Sequence, residues 1–355
     1  MLRYILVFSC ATGLLVARGQ QFSAYKPLNF PEAANVQDVA TGDLDNDGDP
    51  DIVIGTDGGH VSAWFNQGGG VFGEAVRLAE AGRVYQVKLV DLDTDGDLDV
   101  TYVNWGAPDA GWCENLGAGS FSPPQTLVDE LAANTACSLD WADVDEDGHL
   151  DLFLSSYING VVAWYRNDGS QHFGPREAIV SCPYTWVCAA ADMDDDGDVD
   201  VVTAGDGISW RDNQNHHFTG TLPYNGGYIA TQLSDVRGLV LYDQGNDGYP
   251  DIFVAEEWND RVVHYTNDGT GNYSWLNYVS DYATGLPGVE ALRLLDLNGD
   301  GYEEIVAAVS DDNSIRLLSG SGSGIPLVTG VMGASGMAVA DFNGDGLTDL
   351  VTAAA

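Results

Sequence analysis

The chain has 355 residues, 45% of them hydrophobic, which is enough to bury a substantial core. Its formal net charge is −41, from 54 acidic against 13 basic residues. That balance argues against a nucleic-acid binder, which needs a basic footprint, and against electrostatic docking on anionic lipid.

The first residues read as a secretory leader. Arg3 gives a positive start, Ile5 to Val16 is largely apolar, and Ala17-Arg18-Gly19 offers small residues where a signal peptidase reads. Cleavage is expected near Gly19/Gln20, so residues 1–19 are assigned to a signal peptide and the product is expected to be secreted. The apolar run is too short to span a bilayer comfortably, and no other run in the chain is long enough. Gln21-Phe22-Ser23-Ala24-Tyr25-Lys26-Pro27-Leu28 then resembles later segments such as Val71–Leu78 and His172–Ile179. Each later copy ends a repeat, so the N-terminus is predicted to supply a final strand with no unit in front of it.

The stretch that recurs comes next. Asp43, Asp45, Asp47 and Asp51 place four carboxylates within nine residues, with Gly48 for a sharp turn and Ile52-Val53-Ile54 as the following strand. Such crowded like charges repel unless a hard cation neutralises them, and calcium takes six to eight oxygens on a flexible loop. The start resembles an EF-hand loop, but the twelfth position is Ile54, so the ninth residue, Asp51, is expected to close the site. Further copies start at Asp91, Asp143, Asp192, Asp243, Asp296 and Asp341. A spacing of roughly 45 to 53 residues points to propeller blades.

Each unit reads as four strands. Strand one is small and apolar, as in Val39-Ala40-Thr41-Gly42, and leads into the acidic loop. Strand two is apolar on both faces, as expected when sheets stack on each side. Strand three carries an aromatic and then Asn before a turn, as in Trp64-Phe65-Asn66 and Trp164-Tyr165-Arg166-Asn167. Few stretches show helical periodicity, so the chain is predicted to be all-β. The expected architecture is a seven-bladed β-propeller over residues 20–355, with an acidic loop between strands one and two of each blade. The last blade looks incomplete, because the chain stops soon after Leu350-Val351-Thr352-Ala353. The N-terminal segment could supply its fourth strand; its third has no candidate.

These residues resemble the FG-GAP/VCBS repeat family, the calcium-loop propellers of integrin α-subunits and some fungal lectins. The pattern D-x-[DN]-x-D-G-x-x-[DE] plus an apolar strand carries the resemblance over about residues 22–355. Phe72-Gly73, Phe173-Gly174 and Gly106-Ala107-Pro108 match its other elements. The family implies the propeller and calcium in the loops, but no single activity.

The first, third, fifth and ninth residues of each loop should offer side-chain oxygens and the seventh a backbone carbonyl. This assigns Asp43, Asp45, Asp47, Asp49 and Asp51 to loop one, and Asp91, Asp93, Asp95, Asp97 and Asp99 to loop two. Loop three uses Asp143, Asp145, Asp147, His149 and Asp151, and loop four Asp192, Asp194, Asp196, Asp198 and Asp200. Loop six has Asp296, Asn298, Asp300, Tyr302 and Glu304, and loop seven Asp341, Asn343, Asp345, Leu347 and Asp349. Their lower ligand charge should weaken binding. The loop from Asp243 to Asp251 has Gly245 at its third position and should be weakest of all.

Strand one runs toward the loop, so its entry lies at the opposite end of the ring. Six positions before each loop stand Gln37, Tyr85, Cys137, Trp186, Arg237, Glu290 and Ser335, which should ring the axial mouth. Tyr85, Trp186, Arg237 and Glu290 could hold a sugar or a charged peptide, and hairpin-tip Trp105, Tyr157 and Trp258 could extend that surface. The expected role is extracellular recognition, with carbohydrate ahead of a protein partner. A lyase or hydrolase at the mouth is the third reading, although no GxSxG, HExxH or phosphate-cradling loop is present. Trp64, Trp112, Trp164 and Trp210 recur at one repeat position and are expected to pack between blades. His216-His217 reads as a solvated turn. After leader removal four cysteines remain, Cys113, Cys137, Cys182 and Cys188. An even count in a secreted chain suggests two disulfides, and the local pairs Cys113–Cys137 and Cys182–Cys188 are favoured among three pairings. Asn272-Tyr273-Ser274 is a possible glycosylation site.

Overall fold

The computed structural model describes residues 5–10, 22–28, 36–106, 109–129, 135–158, 160–181, 184–214, 217–219, 228–231, 233–267, 278–297 and 302–353. The chain is an all-β propeller. Six sheets are each built from consecutive antiparallel strands. In the first blade the strands are Val36–Gly42, Asp51–Thr56, His60–Trp64 and Val76–Glu80. Strand two is buried along its whole length, because a neighbouring sheet covers each face.

A further sheet joins the two chain ends. Its inner strands are Met337–Ala340 and Asp349–Ala353. Ile5–Cys10 pairs with Asp349–Ala353 on one side and with Phe22–Leu28 on the other. Phe22–Leu28 is thus the outermost strand, as its resemblance to later fourth strands suggested. The third strand, which the sequence seemed to lack, comes from within the stretch read as a leader.

The core is a ring of separate apolar layers between adjacent sheets. One layer packs Leu44, Val53 and Leu78 of the first blade on Val84, Val87 and Tyr102 of the second. Another packs Val39, Ile54 and Trp64 of the first blade on Phe342, Val351 and Ala353, which closes the circle. Trp64, Trp112, Trp164 and Trp210 are all buried in such layers, at the positions expected for packing. In six acidic loops the second residue also plugs these layers: Leu44, Leu92, Val144, Met193, Leu297 and Phe342 are all buried, whereas Gln244 of the loop starting at Asp243 is exposed. Those six corners are therefore anchored by an apolar side chain between blades.

The local disulfide expected between Cys113 and Cys137 does not form. Both are free and buried, as is Cys188, which removes the Cys182–Cys188 pair as well; Cys182 itself lies outside the described residues. Cys113 belongs to the layer between the first two blades, whereas Cys188 lies between the third and fourth. The thiol of Cys137 lies 3.4 Å from Ser155 Oγ and 3.4 Å from the Thr185 carbonyl oxygen. Burial pushes all three thiols up to about 12, which suppresses the thiolate that disulfide exchange requires. The sequon at Asn272 also falls outside the described residues, as does His216.

Leu44→Ala is expected to leave a cavity between the first two blades. The cost should be about 2–5 kcal/mol, read as a lowered urea midpoint with unchanged slope.

Candidate functional site

The two ends of the ring carry different chemistry. At one end stand the acidic loops, and their geometry repeats closely. The sixth residue is a glycine with positive φ, as at Gly48 (94°), Gly96 (97°) and Gly148 (90°). The fourth residue is also left-handed, at Asn46 (60°), Thr94 (62°), Glu146 (57°) and Asp195 (61°). The first carboxylate accepts from the glycine N–H: Gly48 N donates to Asp43 Oδ2 at 2.9 Å and Gly148 N to Asp143 Oδ2 at 2.9 Å.

The ninth residue does more than close a loop. Asp51 is fully buried and accepts from the Leu44 N–H at 2.8 Å and from the Asn66 N–H at 2.8 Å. Asp99 does the same with Leu92 at 3.1 Å and Asn115 at 2.7 Å, and Asp200 with Met193 at 3.0 Å and Asn213 at 2.7 Å. The strand-three asparagine then reaches the preceding blade. Asn115 Nδ2 donates to the Leu44 carbonyl at 2.8 Å and Asn267 Nδ2 to the Met193 carbonyl at 2.7 Å. Asn66 Nδ2 donates to the Phe342 carbonyl at 2.9 Å. In the first, second, fourth and fifth blades one aspartate and one asparagine thus link a corner to that of the preceding blade.

Loops one to four gather carboxylates whose oxygens lie within 4.8 Å of one another: Asp43, Asp45 and Asp51; Asp91, Asp93 and Asp95; Asp143, Asp145 and Asp147; Asp192, Asp194 and Asp200. Asp212, on strand three of the fourth blade, forms a further group with Asp194 and Asp196. Oδ1 of Asp91 and Oδ1 of Asp194 are buried with no hydrogen-bond partner among the described residues. Burial pushes Asp51 and Asp194 up to about 6, Asp99 to about 7 and Asp200 to about 8. Oxygen-only donors and orphaned oxygens together fit a hard divalent cation. The seventh residues, Asp49, Asp97, His149 and Asp198, each donate a backbone N–H to the fifth carboxylate, at 2.9 to 3.0 Å.

Loop three and loops five to seven depart from this pattern. In loop three, Arg166 is ion-paired with Asp145 and reaches Asp147 at 3.5 Å, so a tethered cation already stands among the carboxylates. In loop five, Gly245 leaves Asp243, Asp247 and Asp251, and no such group forms there among the described residues. His264 Nε2 lies 2.8 Å from Asp251 Oδ2 instead. In loop six, Glu304 accepts from the Leu297 N–H at 2.9 Å, while Asn298 and Asp300 lie outside the described residues. In loop seven, Asn343 Nδ2 donates to Asp349 Oδ2 at 3.0 Å.

At the opposite end the axial channel opens into a cavity of about 1090 Å³. Gln37, Tyr85, Cys137, Trp186, Arg237, Glu290 and Ser335 all line it, together with Trp105 and Tyr157. Pairing between strands one and two explains the placement. The register skips one residue between Val36 and Asp38, Val84 and Gln86, Ala136 and Ser138, Val236 and Gly238, and Val289 and Ala291. The skipped residues are Gln37, Tyr85, Cys137, Arg237 and Glu290. A β-bulge at the same place in five blades re-aims a side chain that regular pairing would hold in the sheet.

The aromatics of the second to fourth blades form a connected group. Tyr85 lies 5.7 Å from Trp105 and 5.3 Å from Trp186, ring centre to ring centre. Tyr157 lies 6.2 Å from Trp105, 5.3 Å from Trp186 and 5.3 Å from Tyr184. The Arg237 guanidinium stacks 4.2 Å from the Trp186 ring and pairs with Glu257 at 2.7 Å and Asp235 at 3.1 Å. Arg83 lies 4.9 Å from the Tyr85 ring and pairs with Asp57. Burial holds the Glu290 carboxyl above its usual range. Trp258 is not part of the group: it sits on a short 3-10 turn, 77% exposed, and does not line the cavity. Tyr184 was not singled out from sequence. Deeper in the channel, Lys88 pairs with Asp140, and Arg293 pairs with Asp38 at 3.0 Å.

Fold and loops together define an acidic-loop β-propeller. The family model of the FG-GAP-like repeat matches residues 43–102, 91–154, 143–203 and 296–352, more than half of the chain. The chain belongs to the FG-GAP-like repeat family. No curated protein matches. Among solved structures, it is similar to BBS1N crystallised in complex with ARL6DN, at 14% identity and TM-score 0.59, over 90% of this chain and 92% of that one. It is also similar to an Agrocybe aegerita lectin described as recognising non-reducing terminal N-acetylglucosamine, at 16% identity and TM-score 0.57, over 100% of this chain and 96% of that one. At such identities the likeness concerns the fold. Among the described residues no helix is long and apolar enough to cross a membrane.

Asn115→Ala strands the buried Leu44 carbonyl. It should cost about 1–3 kcal/mol by urea denaturation, while the isosteric Asn115→Asp, which keeps no Nδ2 donor, should cost at least as much.

Proposed function

We propose that this protein is a secreted, calcium-stabilised recognition module that binds carbohydrate at the axial mouth of the ring. The single observation that carries the reading is the repeated bulge. It turns a different side chain into the mouth from each of five blades, while the same strands stay regular toward the loops. Bulges concentrate beside functional sites. A packed plug needs small apolar side chains, whereas this rim offers aromatic faces and hydrogen-bonding groups, the combination that orients a ligand. The lectin among the similar structures supports carbohydrate ahead of protein; the BBS1N complex keeps a protein partner as the second reading. No residue group at the mouth is assigned a catalytic role, and we read the protein as a non-enzyme.

Calcium is proposed at the acidic corners, held by the first, third, fifth and ninth side chains and the seventh carbonyl. Loops one, two and four are the best equipped. Loop three carries its own cation in Arg166, and loop five is the poorest site. When bound, the ion neutralises the crowded carboxylates. We further propose that the sheet joining the chain ends is a seventh blade. Cleavage near Gly19 removes Ile5–Cys10, the strand through which Phe22–Leu28 joins that sheet, so the mature blade requires Phe22–Leu28 to re-pair with Asp349–Ala353. The leader-like N-terminal composition supports secretion.

A glycan array in calcium tests the mouth. Binding is expected, and Trp186→Ala or Tyr85→Ala should abolish it; no signal on the array, with a protein recovered by pull-down, would favour adhesion. Melting tests the metal. Chelation with EGTA is expected to lower the melting temperature by several degrees, and an unchanged value would count against structural calcium.

A further inference from the structure

Among the described residues four basic side chains line the cavity, and each is already held by a carboxylate of the chain. Arg83 pairs with Asp57, and Arg237 with Glu257 at 2.7 Å and Asp235 at 3.1 Å. Deeper in the channel Lys88 pairs with Asp140, and Arg293 with Asp38 at 3.0 Å. The two rim arginines are fixed a second time by rings. Arg237 lies 4.2 Å from the centre of Trp186, and its Nε and Nη2, which together make one carboxylate-binding fork, go to Glu257 and Asp235. Arg83 lies 4.9 Å from the centre of Tyr85 and donates from Nη1 to the Tyr85 hydroxyl at 2.8 Å. Trp105 and Tyr157 line the same cavity, half-buried, with ring centres 6.2 Å apart. No guanidinium or ammonium covers either ring among the described residues.

We infer that the saccharide taken at the mouth is uncharged, that Trp105 and Tyr157 carry it, and that Asp57 and Glu257 set its class by neutralising the arginines an acidic sugar would need. The inference rests on the carbohydrate reading and narrows it. A neutral pyranose offers C–H groups to an aromatic face and hydroxyls to the polar rim, so it requires no charge from the protein. A sialylated or sulfated chain does require one, because its anion gains most from a guanidinium fork with no other partner. Here it meets arginines that chain carboxylates already balance, and it approaches those carboxylates as a like charge. Each rim arginine is held by a carboxylate and by a ring, so turning toward a ligand breaks two contacts. Acidic chains are thus rejected by repulsion as well as by the want of a free partner.

The test is an array of uncharged oligosaccharides printed beside the sialylated and sulfated forms of the same backbones, read in calcium-containing buffer of low ionic strength. Binding is expected on uncharged chains, with the acidic form of a bound backbone about tenfold weaker. Asp57→Asn leaves Arg83 with no carboxylate among the described residues, and Glu257→Gln releases Nε of Arg237. Each should recover severalfold of that loss on the acidic chains, and added salt should narrow the gap in the unaltered protein. The two substitutions lie in different blades, so one that lowers the melting temperature leaves the other to decide. Trp105→Ala should weaken the uncharged chains. Equal or tighter binding of the acidic forms, a gap that a folded Asp57→Asn or Glu257→Gln protein does not narrow, or full binding by Trp105→Ala overturns the inference and leaves the carbohydrate reading standing. Absence of binding to every chain overturns both.

Discussion

The ring depends on a buried aspartate that accepts two backbone N–H groups. Asp51, Asp99 and Asp200 each tie the second residue of their loop to the asparagine at the end of strand three. A charge so deeply placed is costly unless it is well bonded. Here the bonds fix a loop, a strand end and, through the asparagine amide, the corner of the preceding blade. Blades of a propeller touch mainly their immediate neighbours, so any link between successive corners counts toward closure. In the loops other than the one starting at Asp243, an apolar second residue acts from the other side, wedging the same corner into the inter-blade layer. Polar chain and apolar wedge hold one backbone segment in register.

With the corners fixed, the inner strands are free to vary at their far ends. The bulge in strand one is where that freedom is used. It leaves the pairing toward the loop intact and sets one residue out of alternation at the rim. The same scaffold thereby presents Gln37, Tyr85, Cys137, Arg237 and Glu290 at equivalent places with unrelated chemistry. Division of labour between the two ends of the ring follows from this: one end repeats, the other does not.

Much of this was legible in the sequence, because repetition amplifies weak signals. Carboxylates at alternate positions, with glycine at the sixth, fixed the loops, and the spacing between copies fixed the propeller. Counting back six residues found the rim. It did so without revealing the bulge, because a skipped residue leaves no compositional mark: Gln37, Tyr85 and Glu290 share no property except position. The role of Leu44, Val144 and Phe342 was hidden inside motifs read for their acids. Cysteine parity misled, since parity says nothing about which side of a sheet a thiol faces. Cys113 and Cys188 lie in layers two interfaces apart. Tyr184 gave no periodic signal, lying outside the regular strands.

Arg166 makes the circle uneven. One corner holds a positive group on a tether, and a tethered group cannot be diluted away. The third corner thus carries part of its own charge balance within the chain, where its counterparts in loops one, two and four gather carboxylates alone.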